Sequence, residues 1–278
     1  MELPATATLS RLVGRVLGLN PGPMTGPGTN TYLVGESEPI LIDTGAGVPE
    51  YVPLLQGYLA ERGWVRPSRI ILTHRHRDHL GGVTHLRERF PGISVAKMIH
   101  KDGQLPGPIE DLRDGNPIRG EGVTLIPIYT PGHASDHLSF YLVEEQALFT
   151  GDLVLGGSTT VIPPDDGDVG DYLASLRRLQ SLEVRRIYPG HGPVIENAPA
   201  KIQEYIDHRL LREQQILEAL GNGLSTIPEM VARIYTDAPP ALHAAAALSV
   251  ESHLAKLVRE RRVREEVIPD APSRWFLQ

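Results

Sequence analysis

Apolar positions follow two different periods along the chain, and the period changes with position. Residues 13–19, 30–35 and 40–44 are short apolar runs rich in β-branched side chains. The last two are joined by Glu36-Ser37-Glu38-Pro39, a polar loop that predicts a hairpin. Residues 49–62 switch to helical spacing, with Val52, Leu55, Tyr58 and Leu59 on one face and Pro49 near the first turn. A strand at 69–73, a helix at 80–89 and a strand at 94–100 continue the alternation. From residue 123 strands dominate, at 123–129, 138–143 and 147–149, before a helix at 169–182 and a strand at 185–188. Two β-rich halves, each accompanied by helices, predict an α+β body of stacked sheets with helices outside. Residues 101–122 and 153–167, rich in Gly, Pro and Asp, read as long loops, and loops of that length in a compact domain are usually functional or mobile.

The pattern shifts at Asn197-Ala198-Pro199 and becomes almost wholly helical, which divides the chain into residues 1–197 and 198–278. Helices are expected at 202–220, at 228–235 behind a Ser225-Thr226 N-cap, and at 240–259, where Leu242, Ala246, Val250, Leu254 and Val258 recur four apart. A hairpin over 263–267 and 274–277 follows, across Pro269-Asp270-Ala271-Pro272. Three helices plus a terminal hairpin is the layout of a small winged helix-turn-helix domain. With 10 basic against 11 acidic residues, it is not a strongly basic DNA reader.

Composition narrows the chemistry. The chain of 278 residues has 41% hydrophobic residues and a formal charge of -7, enough core-forming material for one large or two small domains and no general attraction for a polyanion. It contains no cysteine, so any metal must be held by nitrogen and oxygen. No stretch approaches the ~20 apolar residues of a membrane span, and Arg11 and Arg15 interrupt any signal-peptide core, so an intracellular, water-soluble protein without membrane association is expected. Residues 5–18, with two arginines and no acid, also suit an organellar presequence, although residues 13–19 serve equally as a strand.

The candidate chemistry lies in Thr73-His74-Arg75-His76-Arg77-Asp78-His79-Leu80-Gly81-Gly82, directly after an apolar strand. In extended chain His74 and His76 project to the same side, while Asp78 and His79 sit where the chain turns into a helix and can aim elsewhere. That arrangement serves two adjacent metals. Further candidates come singly in glycine-bearing turns at strand ends: Pro131-Gly132-His133, Thr150-Gly151-Asp152 and Pro189-Gly190-His191. Were these merely surface or capping residues, Asp78 and His79 would lack partners after a buried strand. His137 can orient a ligand or make a structural hydrogen bond, and Asp43, after the run Leu41-Ile42, can support a ligand or cap its own turn. His85, His100, His208, His243 and His253 are expected at the surface or at packing edges.

These motifs resemble the metallo-β-lactamase superfamily, whose hallmark is a His-x-His-x-Asp-His run followed by a later His, Asp and His; the resemblance covers about residues 12–195. It implies a four-layer αββα sandwich and two metals. His74, His76 and His133 would hold the first, Asp78, His79 and His191 the second, and Asp152 would bridge them. Asp43 is similar to the family's supporting acid. Zinc suits imidazole and carboxylate, and an all nitrogen and oxygen set also admits manganese or iron. Two zinc ions lower the pKa of a shared water to about neutrality, so that hydroxide attacks a polarised carbonyl or phosphoryl group, and Asp78 can accept a proton from the water.

A closer likeness runs through Asn20-Pro21-Gly22-Pro23-Met24-Thr25, Gly28-Thr29-Asn30-Thr31-Tyr32-Leu33-Val34-Gly35, Tyr188-Pro189-Gly190-His191-Gly192-Pro193-Val194-Ile195 and Arg209-Leu210-Leu211-Arg212-Glu213-Gln214-Gln215-Ile216-Leu217. These resemble the lactamase-beta-like protein 2 group, and Asn20 and Tyr188 in them are candidates for contact with substrate. The resemblance implies an endoribonuclease acting on single-stranded RNA, placed in the mitochondrial matrix of a eukaryote or the cytoplasm of a prokaryote. The same subfamily is similar to fungal thioesterases that release polyketides from an acyl carrier protein, which makes an acyl-thioester hydrolase the alternative. Arg259, Arg261, Arg262 and Arg264 near the expected wing favour RNA, unless Glu260, Glu265 and Glu266 neutralise them. The overall acidity and the apolar-capable loop 153–164 favour a thioester.

Overall fold

Strands covered on both faces must be apolar almost throughout, and the central strands of two large sheets, such as Ile40–Ile42 and Ala147–Gly151, are buried along their whole length. The computed structural model describes residues 2–99, 105–236, 239, 243–269 and 271–278. The first sheet takes β1 (Thr6–Thr8), β2 (Val13–Leu17), β3 (Asn30–Val34), β4 (Ile40–Ile42), β5 (Arg69–Ile71), β6 (Ser94–Lys97) and β7 (Glu110–Asp111) in sequence order. β1 to β4 pair antiparallel, with Tyr32 opposite Ile42 in the expected hairpin. β4 to β7 are parallel, because α1 (Tyr51–Glu61) crosses from β4 to β5, and α2 (Arg77–Leu80) and α3 (Val83–Arg89) cross from β5 to β6. The second sheet has the order β12 (Arg186–Pro189), β11 (Ala147–Gly151), β10 (Leu138–Leu142), β9 (Val123–Tyr129), β8 (Ile118–Gly120). α4 (Val169–Gln180) makes its one parallel crossover, from β11 to β12.

Between the sheets Tyr32, Ile42, Phe140, Phe149 and Tyr188 form one core. Tyr51, Leu55 and Leu86 of α1 and α3 pack on the outer face of the first sheet against Leu33, Leu41 and Ile70. Tyr172 and Leu176 of α4 cover the second sheet at Leu148 and Ile187. The result is the αββα order of layers.

Two local outcomes differ from the sequence reading. The helix expected at 80–89 is split at Gly81-Gly82, since the chain there runs against the segment after β4, and a Cβ on Gly82 would collide with the Thr44 carbonyl oxygen. β7 and β8 occupy the span 101–122 that reads as loop; strands of two and three residues are too short to carry an apolar period. His100 and residues 101–104 lie outside the described residues, as do Pro240 and Leu242 of the last expected helix.

After Asn197, whose side chain accepts from the Ala200 N–H at 3.2 Å, come α5 (Ala198–Gly221), α6 (Ile227–Ile234) and α7 (His243–Arg259). Thr226 caps α6, with Glu229 accepting its backbone N–H at 2.9 Å. β13 (Val263–Glu266) and β14 (Arg274–Leu277) close the winged-helix unit around Ile216, Met230, Val250, Leu257 and Trp275. α5 belongs to both bodies: Ile202, Tyr205 and Ile206 pack with α4, and Ile216, Ala219 and Leu220 with α6 and α7. A division after residue 197 therefore cuts between elements but not between cores.

Candidate metal centre

The loops that leave the ends of β4, β5, β9, β11 and β12 meet at one edge of the sandwich. Backbone hydrogen bonds across the sheets hold them there, from Leu138 N–H to Thr73 O at 2.8 Å and from Asn30 N–H to Gly190 O at 2.7 Å. Seven side chains that are far apart in sequence thereby converge as two groups, His74, His76 and His133, and Asp78, His79, Asp152 and His191.

In the first group His76 Nδ1 lies 3.0 Å from His74 Nε2 and 2.9 Å from His133 Nε2. Outer contacts orient two of these rings. His133 Nδ1 donates to the Val161 carbonyl at 2.7 Å, which leaves Nε2 with its lone pair toward the group, and His74 Nδ1 lies 2.9 Å from Thr73 Oγ1. In the second group Asp78 Oδ2 is 3.3 Å from His79 Nε2 and 3.2 Å from His191 Nε2. Asp152 Oδ1 is 3.2 Å from His79 Nε2 and 3.3 Å from His191 Nε2, while its Oδ2 reaches toward His133 Nε2 at 3.7 Å. Asp152 thus presents one oxygen to each group. Room for it comes from Gly190, where a Cβ would lie 2.5 Å from Asp152 Oδ1.

Among the described residues, buried His79 Nε2 and Asp152 Oδ1 face each other at 3.2 Å and make no hydrogen bond outside the two ligand groups. Unsatisfied buried donors and acceptors are rare, and here they border a space ringed by imidazole and carboxylate. The residues fit two divalent first-row cations, and the clusters are compatible with a dinuclear site.

The electrostatics of the two groups differ. Burial, reinforced by neighbouring imidazoles, holds His74 well below its ordinary value and His133 down at about 4. Burial opposes charge on His79 and His191 as well, but Asp152 with Asp43 pushes His79 well above its ordinary value, and Asp152 with Asp78 pushes His191 up to about 9. Asp78 and Asp152 are held well below the usual carboxylate range, against the effect of burial, by His191 and His79.

Asp43, at a left-handed φ of 60°, does more than cap its own turn. It accepts the Thr73 N–H and Thr73 Oγ1, each at 2.8 Å, and its Oδ2 stands 2.8 Å from His79 Nδ1. His137 is buried with Nδ1 2.9 Å from Thr130 Oγ1, and its Nε2 accepts the Asp152 backbone N–H at 3.2 Å.

Of the two residues expected at substrate, the structure withdraws Tyr188 from the cavity. Tyr188 is fully buried between the sheets, stacked on Phe149 and bonded to Glu145, because strand β12 turns it into the core. Asn20 braces the loop before β3 through Thr29, accepting its N–H at 2.9 Å and donating to its hydroxyl at 3.0 Å. The next bond in that series, from Thr29 Oγ1 to Asp78 Oδ2 at 3.1 Å, gives Thr29 a role that its position in a Gly-rich loop did not signal. His253, expected at the surface or at a packing edge, is fully buried in α7, whereas His85 is exposed.

A cavity of about 730 Å³ opens on the centre. His76, Asp78, His133, Asp152 and His191 form its floor, and Met24, Leu155, Val161 and Pro163 its sides. The C-terminal domain closes it with His208, Arg209, Tyr235 and Ala246. Of the arginines around the wing, Arg259 pairs with Asp168, Arg262 with Glu213 at 2.6 Å, and Arg264 with Glu266 at 3.7 Å. Among the described residues no helix is long and apolar enough to cross a membrane.

Comparison with known proteins matches residues 24–191 to the family described as the metallo-beta-lactamase superfamily, and residues 226–275 to the beta-lactamase associated winged helix domain. An atrochrysone carboxyl ACP thioesterase from Aspergillus fumigatus is 42% identical over 252 residues, covering 86% of this chain and 78% of its own. A beta-lactamase-like protein 2 homolog from Caenorhabditis elegans is 40% identical, covering 91% of this chain and 86% of its own. A solved metallo-beta-lactamase family protein from Thermus thermophilus superposes with a TM-score of 0.80 at 25% identity, over 98% of this chain and 100% of its own. A second solved structure, in a di-iron-bound form, has a TM-score of 0.53 at 31% identity, over 66% of this chain and 95% of its own.

Proposed function

The chain belongs to the metallo-β-lactamase superfamily, and from that premise we propose that it is a dinuclear metal-dependent hydrolase of acyl thioesters. His74, His76 and His133 would hold one ion, Asp78, His79 and His191 the other, and Asp152 both. Zinc is the resident ion of this reading, since its site preferences match imidazole and carboxylate. Such a pair, when bound, supplies Lewis acidity and acidifies water near neutral pH.

The protein's own side chains do the rest. Asp78, the most exposed of the centre's carboxylates at 26%, faces the cavity and accepts the proton of the attacking water, while Thr29 Oγ1 holds one of its oxygens. Asp43 and His137 fix His79 and Asp152 so that neither ligand swings during turnover.

The cavity carries the choice of substrate. Its apolar sides, Met24, Leu155, Val161, Pro163 and Ala246, suit the hydrocarbon of an acyl group and keep water away from the thioester carbonyl. The Aspergillus fumigatus relative, named as an acyl carrier protein thioesterase, supports the same reading. Cleavage of single-stranded RNA would use the same centre and the arginines near the wing. Three of those four face carboxylates, so little uncompensated charge is left there for a phosphate backbone.

The test is to incubate the metal-loaded protein with an acyl-thioester panel and with single-stranded RNA, beside a His76→Ala control. Metal-dependent thioester turnover that hardly responds to added salt is expected. RNA cleavage that weakens steeply with salt, without thioester turnover, would replace this reading with the other.

A further inference from the structure

We infer that the wall contributed by the C-terminal domain is a carboxylate-recognition site, built on Arg209 with Arg212 behind it, for an acid group that the substrate carries away from its scissile carbonyl. The substrate class rests on the thioester reading; the site itself rests on the following geometry.

Arg209 is only 3% exposed and lines the cavity. One guanidinium nitrogen donates to the Thr160 carbonyl at 2.5 Å, the group lies over the Tyr172 ring at 5.1 Å, and Nε is buried without a hydrogen bond among the described residues. One turn later on α5, Arg212 stacks on Tyr235 at 3.9 Å and donates to Gln215 at 2.8 Å, and its Nε is again buried and unpartnered among the described residues. Tyr235 lines the same cavity. Among the described residues neither arginine comes within 4.0 Å of a carboxylate, whereas buried Lys97 meets Asp136 at 2.7 Å and buried Lys256 meets Glu213 at 2.6 Å. A buried guanidinium without a counter-ion is costly, and the planar fork of arginine suits a carboxylate.

Surrounding groups register the same excess of positive charge. His208, in the wall, is pushed down by burial and the two arginines, and His253, with both ring nitrogens buried and unpartnered among the described residues, by burial, Arg209, Lys256 and Arg212. The site is also tied to the metal centre. Thr160, whose carbonyl accepts from Arg209, donates its hydroxyl to the Asp152 carbonyl at 2.5 Å. One residue therefore links Arg209 to the backbone of Asp152, and Arg209 lines the same cavity as His76, Asp78 and Asp152.

Two measurements test the inference. Glutarate and inorganic phosphate are titrated by calorimetry into the metal-loaded protein and into Arg209→Gln and Arg212→Gln. Glutarate is expected to bind the unaltered protein and to lose at least tenfold in affinity in each variant. Unchanged affinity in both variants means that glutarate sits elsewhere and overturns the inference, and binding of phosphate in preference to glutarate overturns the assignment to a carboxylate. Separately, kcat/KM is compared for glutaryl and pentanoyl thioesters of N-acetylcysteamine, which differ only in the terminal acid. The glutaryl-to-pentanoyl ratio should exceed ten and fall at least tenfold in Arg212→Gln, and a ratio near one in the unaltered protein overturns the inference. Should neither thioester be hydrolysed, the thioester reading fails while the glutarate titration still decides the site.

Discussion

Asp43 Oδ2 lies 2.8 Å from His79 Nδ1, and the same oxygen accepts the hydroxyl of Thr73. A buried carboxylate in this position holds the imidazole with its Nε2 toward Asp78 and Asp152 and raises its basicity as a ligand. Asp43→Asn keeps the shape and removes the charge. Metal affinity at the second group is expected to fall by about 10- to 100-fold, as for other partners of ligating histidines. A chelator competition that separates the two binding steps checks this, and equal loss at both steps would contradict the assignment of Asp43 to His79.

The two groups should differ in the protons they release. With His79 held well above its ordinary value and His191 at about 9, both carry protons at pH 7 in the metal-free chain, between two ionised aspartates. His74 and His133 are already neutral. A cation entering the second group must displace the protons of both histidines, so about two leave per ion, and its affinity rises with pH toward 9. The first group releases none from His74 or His133. Calorimetry in buffers of different ionisation enthalpy measures the difference, and equal release at both steps would count against it.

Gly190→Ala probes the space that Asp152 needs. The added Cβ would lie 2.5 Å from Asp152 Oδ1 and 2.9 Å from the Gly151 carbonyl carbon, and the backbone contact cannot give way by rotating a side chain. We expect at least a tenfold loss of activity, together with a stability cost of about 1–3 kcal/mol from overpacking. Metal content after dialysis and urea denaturation report the two effects separately, and a variant with full metal content and full activity would show that Asp152 does not need that room.

The parts legible in the sequence are those whose cause is local. The run from His74 to His79 carries its own geometry, and the apolar strands before it announce their burial on both faces. The contacts of Thr29 with Asp78 and of Arg209 with Thr160 each join segments 49 residues apart, and no spacing encodes them. Tyr188 misled for a related reason: it stands two residues before Gly190 in a motif that ends at the centre, but strand alternation turns its ring between the sheets. His253 lies on the buried side of α7 together with the polar Ser252 and Lys256, so polarity suggested the surface or a packing edge where packing imposes burial.

That burial makes His253 an acid-sensitive point of the C-terminal domain. Among the described residues its two ring nitrogens have no hydrogen-bond partner, and burial together with Arg209 and Lys256 brings it down to about 3. Above pH 6.5 the histidine is neutral in both folded and unfolded chains and adds no pH dependence. Below 6.5 the unfolded chain takes up a proton that the folded chain refuses until pH falls to about 3, so stability is lost across that window. At pH 5 the loss from this one group is about 2 kcal/mol, the ~1.4 kcal/mol per pH unit of linkage acting over one and a half units. His253→Leu removes both the unsatisfied nitrogens and the titration. Relative to the unaltered protein, the variant should gain about 2 kcal/mol more at pH 5 than at pH 8, a difference in which the other titrating groups cancel. Urea denaturation of the metal-loaded proteins at the two pH values measures it, and the same relative stability at both would mean that His253 finds a proton-bound partner inside the fold.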